Sequence, residues 1–189
     1  MGNRIVLVTG GSRGIGAAAA LQCAQAGYDV AINYARDAES AEQVAAQVRA
    51  LGRRAITIGA DVSREADVLA MFARVDAELG PLSALVNNAG VVDVAARVDE
   101  MSIARLARIF GINVVGSMLC AREAVRRMST RHGGGSWAAA GGGRGGAIVN
   151  LSSVAARLGA PGQYVDYAAA KGAIDTFTLG LAREVATEG

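Results

Sequence analysis

The segment Thr9-Gly10-Gly11-Ser12-Arg13-Gly14-Ile15-Gly16 follows directly on the apolar, β-branched run of residues 4–9 (RIVLVT) and heads an Ala-rich stretch, residues 14–27. Glycine has no Cβ, so the backbone here turns tightly and lets a bulky anion come close to the start of the following helix. The unpaired N–H groups and the dipole at that helix end favour a phosphate or pyrophosphate. Taken alone, a glycine run is a weak signal, since a tight turn with no ligand has the same composition. Its position raises its weight: strand before, helix after, at the opening of a βαβ unit.

The same alternation continues down the chain. Strands are predicted over residues 29–34, 54–60, 83–88 and 147–152, each an apolar run of the kind buried on both faces of a parallel sheet. Between them the pattern predicts helices over 37–51, 63–79 and 102–131 (one long helix or two), and a last helix over 164–187. Gly27, Gly52 and the Gly80-Pro81 pair stand where the first three helices should stop. The expected fold class is therefore α/β, a doubly wound parallel sheet of about five strands in one domain spanning 1–189. Hydrophobic residues make up 52% of the 189, enough for a packed core.

Several function classes are excluded on charge and composition. Lys+Arg 19 against Asp+Glu 17 leaves a net charge of +2, too balanced for an electrostatic nucleic-acid or membrane binder. Two Cys and one His supply neither a closed structural zinc site nor a disulfide framework, so no metal is expected. No uncharged stretch of 18 or more apolar residues occurs, and the start lacks secretory features. The expectation is a soluble cytoplasmic protein with no nucleic-acid or membrane partner. Residues 133–146 (GGGSWAAAGGGRGG) form a low-complexity segment, read as a flexible insertion at the amino-terminal edge of the sheet, away from the ligand crevice.

The glycine spacing is TGxxxGxG, and it resembles that of the short-chain dehydrogenase/reductase family. Four further segments match that family in order: Asp61-Val62 after the third strand, Asn87-Asn88-Ala89-Gly90 after the fourth, Ser153 after the fifth, and Tyr167-Ala168-Ala169-Ala170-Lys171 as a YxxxK match. Asn113 lies in a predicted helix between them. The resemblance implies a Rossmann-like fold with strand order 3-2-1-4-5, and an oxidoreductase taking NADP(H) or NAD(H). It places Gly10, Ser12, Arg13, Gly14, Ile15, Gly16, Arg36, Asp61, Val62, Asn88, Ala89, Gly90, Tyr167 and Lys171 around the cofactor. It makes Asn113, Ser153, Tyr167 and Lys171 catalytic, with Ser153 bonding the substrate oxygen and Asn113 helping to hold a water linked to Lys171. The substrate would be a small carbonyl compound or alcohol. Homodimers or homotetramers are implied as well, formed partly through the long helices that carry Asn113 and Tyr167.

Elementary chemistry agrees with the Tyr–Lys assignment. Residues i and i+4 share one helix face. A free tyrosine, with a pKa near 10, is a poor base at neutral pH, and lowering it by about three units takes roughly 4 kcal/mol. An ammonium about 4 Å away supplies about that at an effective dielectric near 20, whereas a solvated pair is worth about 0.3–0.5 kcal/mol. Burial decides between the two. The alternatives for single residues are bland: Asn113 as a satisfied core amide, Ser153 as a capping residue.

An NAD site usually carries an acid about 20 residues past the glycines. Here that region reads Asn33-Tyr34-Ala35-Arg36, and Asp37 suits the N-cap of the next helix. Arg13 and Arg36 instead suit a 2′-phosphate, so NADP(H) is expected in preference to NAD(H). Relative to the family pattern the chain stops after the helix of Tyr167, which leaves the fifth strand as a sheet edge. The leading expectation is an NADP-dependent oxidoreductase interconverting a ketone or aldehyde and an alcohol. The rival is a non-catalytic NAD(P)-binding protein that has lost activity with its carboxyl-terminal part.

Overall fold

In the computed structural model, residues 4–132 and 143–189 are described. The strands are β1 (Arg4–Val8), β2 (Tyr28–Tyr34), β3 (Ala55–Gly59), β4 (Ala84–Asn87) and β5 (Ala147–Asn150). The helices are α1 (Gly14–Gln25), α2 (Ala38–Ala50), α3 (Glu65–Glu78), α4 (Ile103–Phe110), α5 (Ser117–Met128), α6 (Ala155–Leu158) and α7 (Val165–Glu184). The sheet order is β3-β2-β1-β4-β5, and every pairing is parallel, with Val8 opposite Ile32 on one side and Val86 on the other. The crevice therefore lies beyond the carboxyl ends of the neighbouring strands β1 and β4, where the strand order reverses.

Side-chain alternation explains why β1 is apolar from Ile5 to Val8. Ile5 and Leu7 pack on one face with α3 and α5, through Phe72, Val75 and Cys120. Val6 and Val8 pack on the other with α1 and α2, through Ala20, Ala24 and Val44. Both faces are covered from Ile5 to Val8, and only Arg4 at the strand's start is exposed. Cys120 is fully buried and burial pushes its thiol up to about 12; Cys23 is only partly buried.

Helix ends follow local chemistry. The Asp37 side chain accepts the Ser40 N–H at 3.0 Å and caps α2, as its sequence position suggests. Gly27, Gly52 and Gly80 all have positive φ just past helix ends. The stretch predicted over 102–131 as one long helix or two is a continuous helical run, Ile103–Met128, made of α4, a π-helical segment Gly111–Gly116 and α5, and followed by a 3-10 turn Thr130–His132. Gly116 ends the π-helical segment. A Cβ there would stand 2.7 Å from the Val62 side chain and 3.0 Å from its carbonyl oxygen, so the glycine lets this helix close on the turn after β3. The short helix α6 carries no periodic signal and was not anticipated.

The run Ile103–Met128 is long and apolar enough, by length and composition, to cross a membrane, which a count of uncharged residues alone misses. Its buried side chains lie against the sheet and α7, and Arg105, Arg122 and Arg127 make ion pairs with Asp166, Glu65 and Asp76. It packs as a core helix. Most of the glycine-rich segment, 133–142, lies outside the described residues. Gly143 and Gly145 donate to the Arg127 and Met128 carbonyls, at the edge of the sheet opposite the crevice.

Candidate active site

Two lobes open at the carboxyl ends of the strands. One, of about 470 Å³, is lined by Gly10, Ser12, Arg13, Ile15, Arg36, Asp61, Val62, Asn88, Ala89 and Gly90. The other, of about 530 Å³, takes in Ser153, Tyr164, Tyr167 and Lys171. Ile15, Asn88, Gly90 and Val91 wall both, so the two are halves of one cleft. Thirteen of the residues singled out in the sequence thus meet there, brought from six separate stretches of chain.

The remaining three, Gly14, Gly16 and Asn113, line neither lobe. Gly14 begins α1 at φ +55°, a left-handed conformation that glycine adopts without a Cβ clash. Gly16 is buried, and a Cβ on it would collide with the Gly10 carbonyl oxygen and the Asn88 amide. The bare Cα lets α1 lie flat against the turn. Asn113 is fully buried in the π-helical segment. Its Nδ2 donates to the carbonyls of Val91 and Ile109, both at 2.9 Å, and its Oδ1 accepts the Val91 N–H at 3.1 Å. The satisfied-amide alternative describes these contacts, and they hold the chain after β4 in place.

The glycine turn is stitched together by Thr9 and Asn33, which lie outside the predicted set, and by Asn88, which lies within it. Thr9 is buried, and its hydroxyl accepts the N–H groups of Asn88 and Ala89, both at 3.0 Å. Asn88 Nδ2 donates to the Thr9 and Gly10 carbonyls, both at 2.9 Å. Asn33 accepts the Gly10 N–H at 3.2 Å and donates to the carbonyls of Ile58 and Ala60. An asparagine directly after the apolar run Val30–Ile32 was the available signal for Asn33. Asp61 accepts from the Ser63 N–H and hydroxyl, at 3.0 and 2.7 Å, which fixes the turn after β3.

A dinucleotide fits this half. The first turn of α1 opens on it, has no side-chain cap and contains no acid, whereas α2 and α4 are capped by Asp37 and Ser102. Helix-end amides without a side-chain acceptor suit a pyrophosphate. Arg13 and Arg36 stand exposed on the same lobe. Asp37 is held below the usual carboxylate range by its bond to Ser40, with a smaller contribution from the Arg13 charge.

In the other half, Lys171 is buried and its Nζ donates to the Leu151 carbonyl at 2.6 Å, while standing 5.7 Å from the centre of the Tyr167 ring. Burial pushes its pKa down, and the charge of Asp175 opposes the shift. Ser153 Oγ accepts the Ala155 N–H at 3.2 Å. Tyr164 meets Tyr167 edge to face, with centroids 6.2 Å apart, within the favourable range for aromatic pairs.

A two-lobed cleft at the carboxyl ends of a doubly wound parallel sheet is the arrangement of a nucleotide-binding α/β protein. The chain belongs to the short-chain dehydrogenase family, whose model matches residues 4–189. It is 51% identical over 185 residues to the uncharacterized oxidoreductase YgfF of Escherichia coli K12, covering 98% of this chain and 71% of that protein. It is 38% identical to the 3-oxoacyl-[acyl-carrier-protein] reductase FabG of Staphylococcus aureus, covering 97% of this chain and 69% of the relative. Among solved structures, a short-chain dehydrogenase of Burkholderia cenocepacia in complex with NADP superposes with a TM-score of 0.86 at 37% identity, over 100% of this chain and 71% of the other.

Proposed function

We propose that this protein interconverts a ketone or aldehyde and an alcohol with NADP(H), and that Tyr167 carries the proton. The observation that bears this reading is the continuity of the cleft: Asn88 and Gly90 belong both to the lobe of the glycine turn and to the lobe of Tyr167. When bound, the nicotinamide supplies or accepts the hydride. In reduction Tyr167 donates its hydroxyl proton to the substrate oxygen, and in oxidation it takes the proton back. Ser153 accepts a backbone N–H, which leaves its own hydroxyl proton for the substrate oxygen. Lys171 has three N–H donors. One is held by Leu151, and the others serve the nicotinamide ribose, while its charge steadies a phenolate. Asn113 acts at one remove, by fixing Val91.

Assaying NADPH oxidation against a panel of ketones and aldehydes tests the reaction. Turnover on any of them supports it. NADPH binding with no turnover across the panel would leave the nucleotide-binding reading in its place.

NADPH is expected to bind tighter than NADH by about tenfold to a hundredfold at low salt, since charge-assisted hydrogen bonds contribute about 1.5–3 kcal/mol. Arg13→Ala and Arg36→Ala should each erode the difference, and added salt should shrink it. Equal dissociation constants for the two nucleotides would sink the assignment of these arginines.

We also propose that the protein is a homo-oligomer. Val115, Met118 and Leu179 are exposed apolar residues on the long helices, and Val149 is 53% exposed on the edge strand β5. An uncharged strand edge is a template for pairing. Sedimentation is expected to show a dimer or larger species. Dissociation by Met118→Glu would place the contact on the helices, and dissociation by Val149→Lys on the strand. A monomeric wild-type protein would overturn both.

A further inference from the structure

Asp166, the residue before Tyr167, is buried to 1% side-chain exposure and receives Arg105 from α4 in a two-pronged pair, Nε to Oδ2 at 2.7 Å and Nη2 to Oδ1 at 3.1 Å. The two residues are 61 positions apart in the chain. The third guanidinium nitrogen, Nη1, donates to the Val94 carbonyl at 2.7 Å. A second tie lies close by: the Ala96 N–H donates to the Gln163 carbonyl at 2.8 Å, just ahead of α7. The segment after β4 is thereby fastened to the head of the helix that carries Tyr167. That same segment supplies Val91 and Val92 to the cleft wall.

We infer that Arg105 and Asp166 are a positioning pair, which sets Tyr167 against the cleft and holds the segment after β4 as its substrate-side wall. The inference rests on the role proposed for Tyr167. A planar guanidinium gripping a carboxylate at two points fixes orientation as well as distance. Its remaining donor makes a rigid three-way joint between α4, α7 and the segment after β4. The Arg105 hydrogen bond holds the Asp166 carboxyl below the usual carboxylate range, so the pair is charged at neutral pH. The geometry accounts for an aspartate immediately before the tyrosine, where a helix first turn alone would accept many residues.

The test compares Asp166→Asn, Arg105→Lys and the double variant Arg105→Ala with Asp166→Ala. Arg74→Ala, which breaks the exposed Arg74–Glu78 pair, is the control. Each is assayed for kcat, for NADPH binding by fluorescence, and for the Tyr167 ring signal in NMR of carbon-labelled tyrosine, assigned by its loss in Tyr167→Phe. A displacement near 1 Å at a reacting group lowers rates on the order of 10²-fold. Asp166→Asn is therefore expected to lower kcat by about that factor and to move the Tyr167 signal, with the Tyr28 signal and the NADPH dissociation constant unchanged. Arg105→Lys keeps the charge and loses the fork, so an intermediate loss near tenfold is expected. The double variant should lose little more than Asp166→Asn, and the control nothing. The proposal is overturned if Asp166→Asn and Arg105→Lys merely melt earlier while kcat and the Tyr167 signal stay as in the wild type. Should Tyr167→Phe itself remain active, the proton-transfer reading fails, and the NMR signal still decides for or against the joint.

Discussion

Tyr167→Phe is expected to lower carbonyl turnover by on the order of 10²–10⁴-fold, the usual size of a positioned proton donor's contribution, while NADPH binds as before. The substitution removes one oxygen and keeps the ring, so the edge-to-face contact with Tyr164 and the place beside Lys171 survive. Its selectivity is the informative part, because a loss of folding would reduce binding and turnover together. Lys171→Ala is expected to weaken both, since it takes away the charge near Tyr167 and the donor that reaches the Leu151 carbonyl. Stopped turnover and a titration of nicotinamide fluorescence check the pair of results. Substantial activity in Tyr167→Phe would remove this residue from the proton's path.

A single methyl group at Gly16 should also be damaging, through binding instead of chemistry. In an open helix, Gly→Ala gains about 1 kcal/mol. At Gly16 the added carbon would fall on the Gly10 carbonyl oxygen and the Asn88 amide, a backbone group and a side chain already bonded to the Thr9 and Gly10 carbonyls. Overpacking of this kind costs about 1–3 kcal/mol, so steric cost outweighs propensity. It falls on the turn that would receive the pyrophosphate. Gly16→Ala is expected to weaken NADPH by about tenfold or more, at 1.4 kcal/mol per decade, and to lower Tm by several degrees. Gly180→Ala, on α7 with nothing near its Cβ position, should instead raise Tm slightly. Unchanged NADPH affinity in Gly16→Ala would show that the turn tolerates displacement.

The parts of this molecule legible in its residues share a physical basis. Strand and helix periods are local, as are the positive-φ demand at a glycine and the capping habit of Asp37. Each is decided by neighbours a few positions away. So the five strands, the helices between them and the meeting of Tyr167 with Lys171 on one helix face could be read before any tertiary contact was known. Family resemblance added the strand order and the cleft residues, and thirteen of these do share the cleft.

What stayed hidden depends on partners far away in the chain. Thr9 and Asn88, 79 positions apart, join only because β1 and β4 are sheet neighbours, and Asn33 reaches the glycine turn only because β2 lies on the other side of β1. Asn113 turns to Val91 from a π-helical segment that no hydrophobic period announces. Arg105 and Asp166 both read as ordinary surface charges until α4 and α7 pack and exclude water from them. The sequence by itself determined the alternation of elements and the chemistry available at each turn, because both are set by short-range sterics and the burial of apolar faces. Tertiary structure alone decided which buried polar groups are paired, because a hydrogen bond across the fold has no period and acquires its partner only once the strand order is complete.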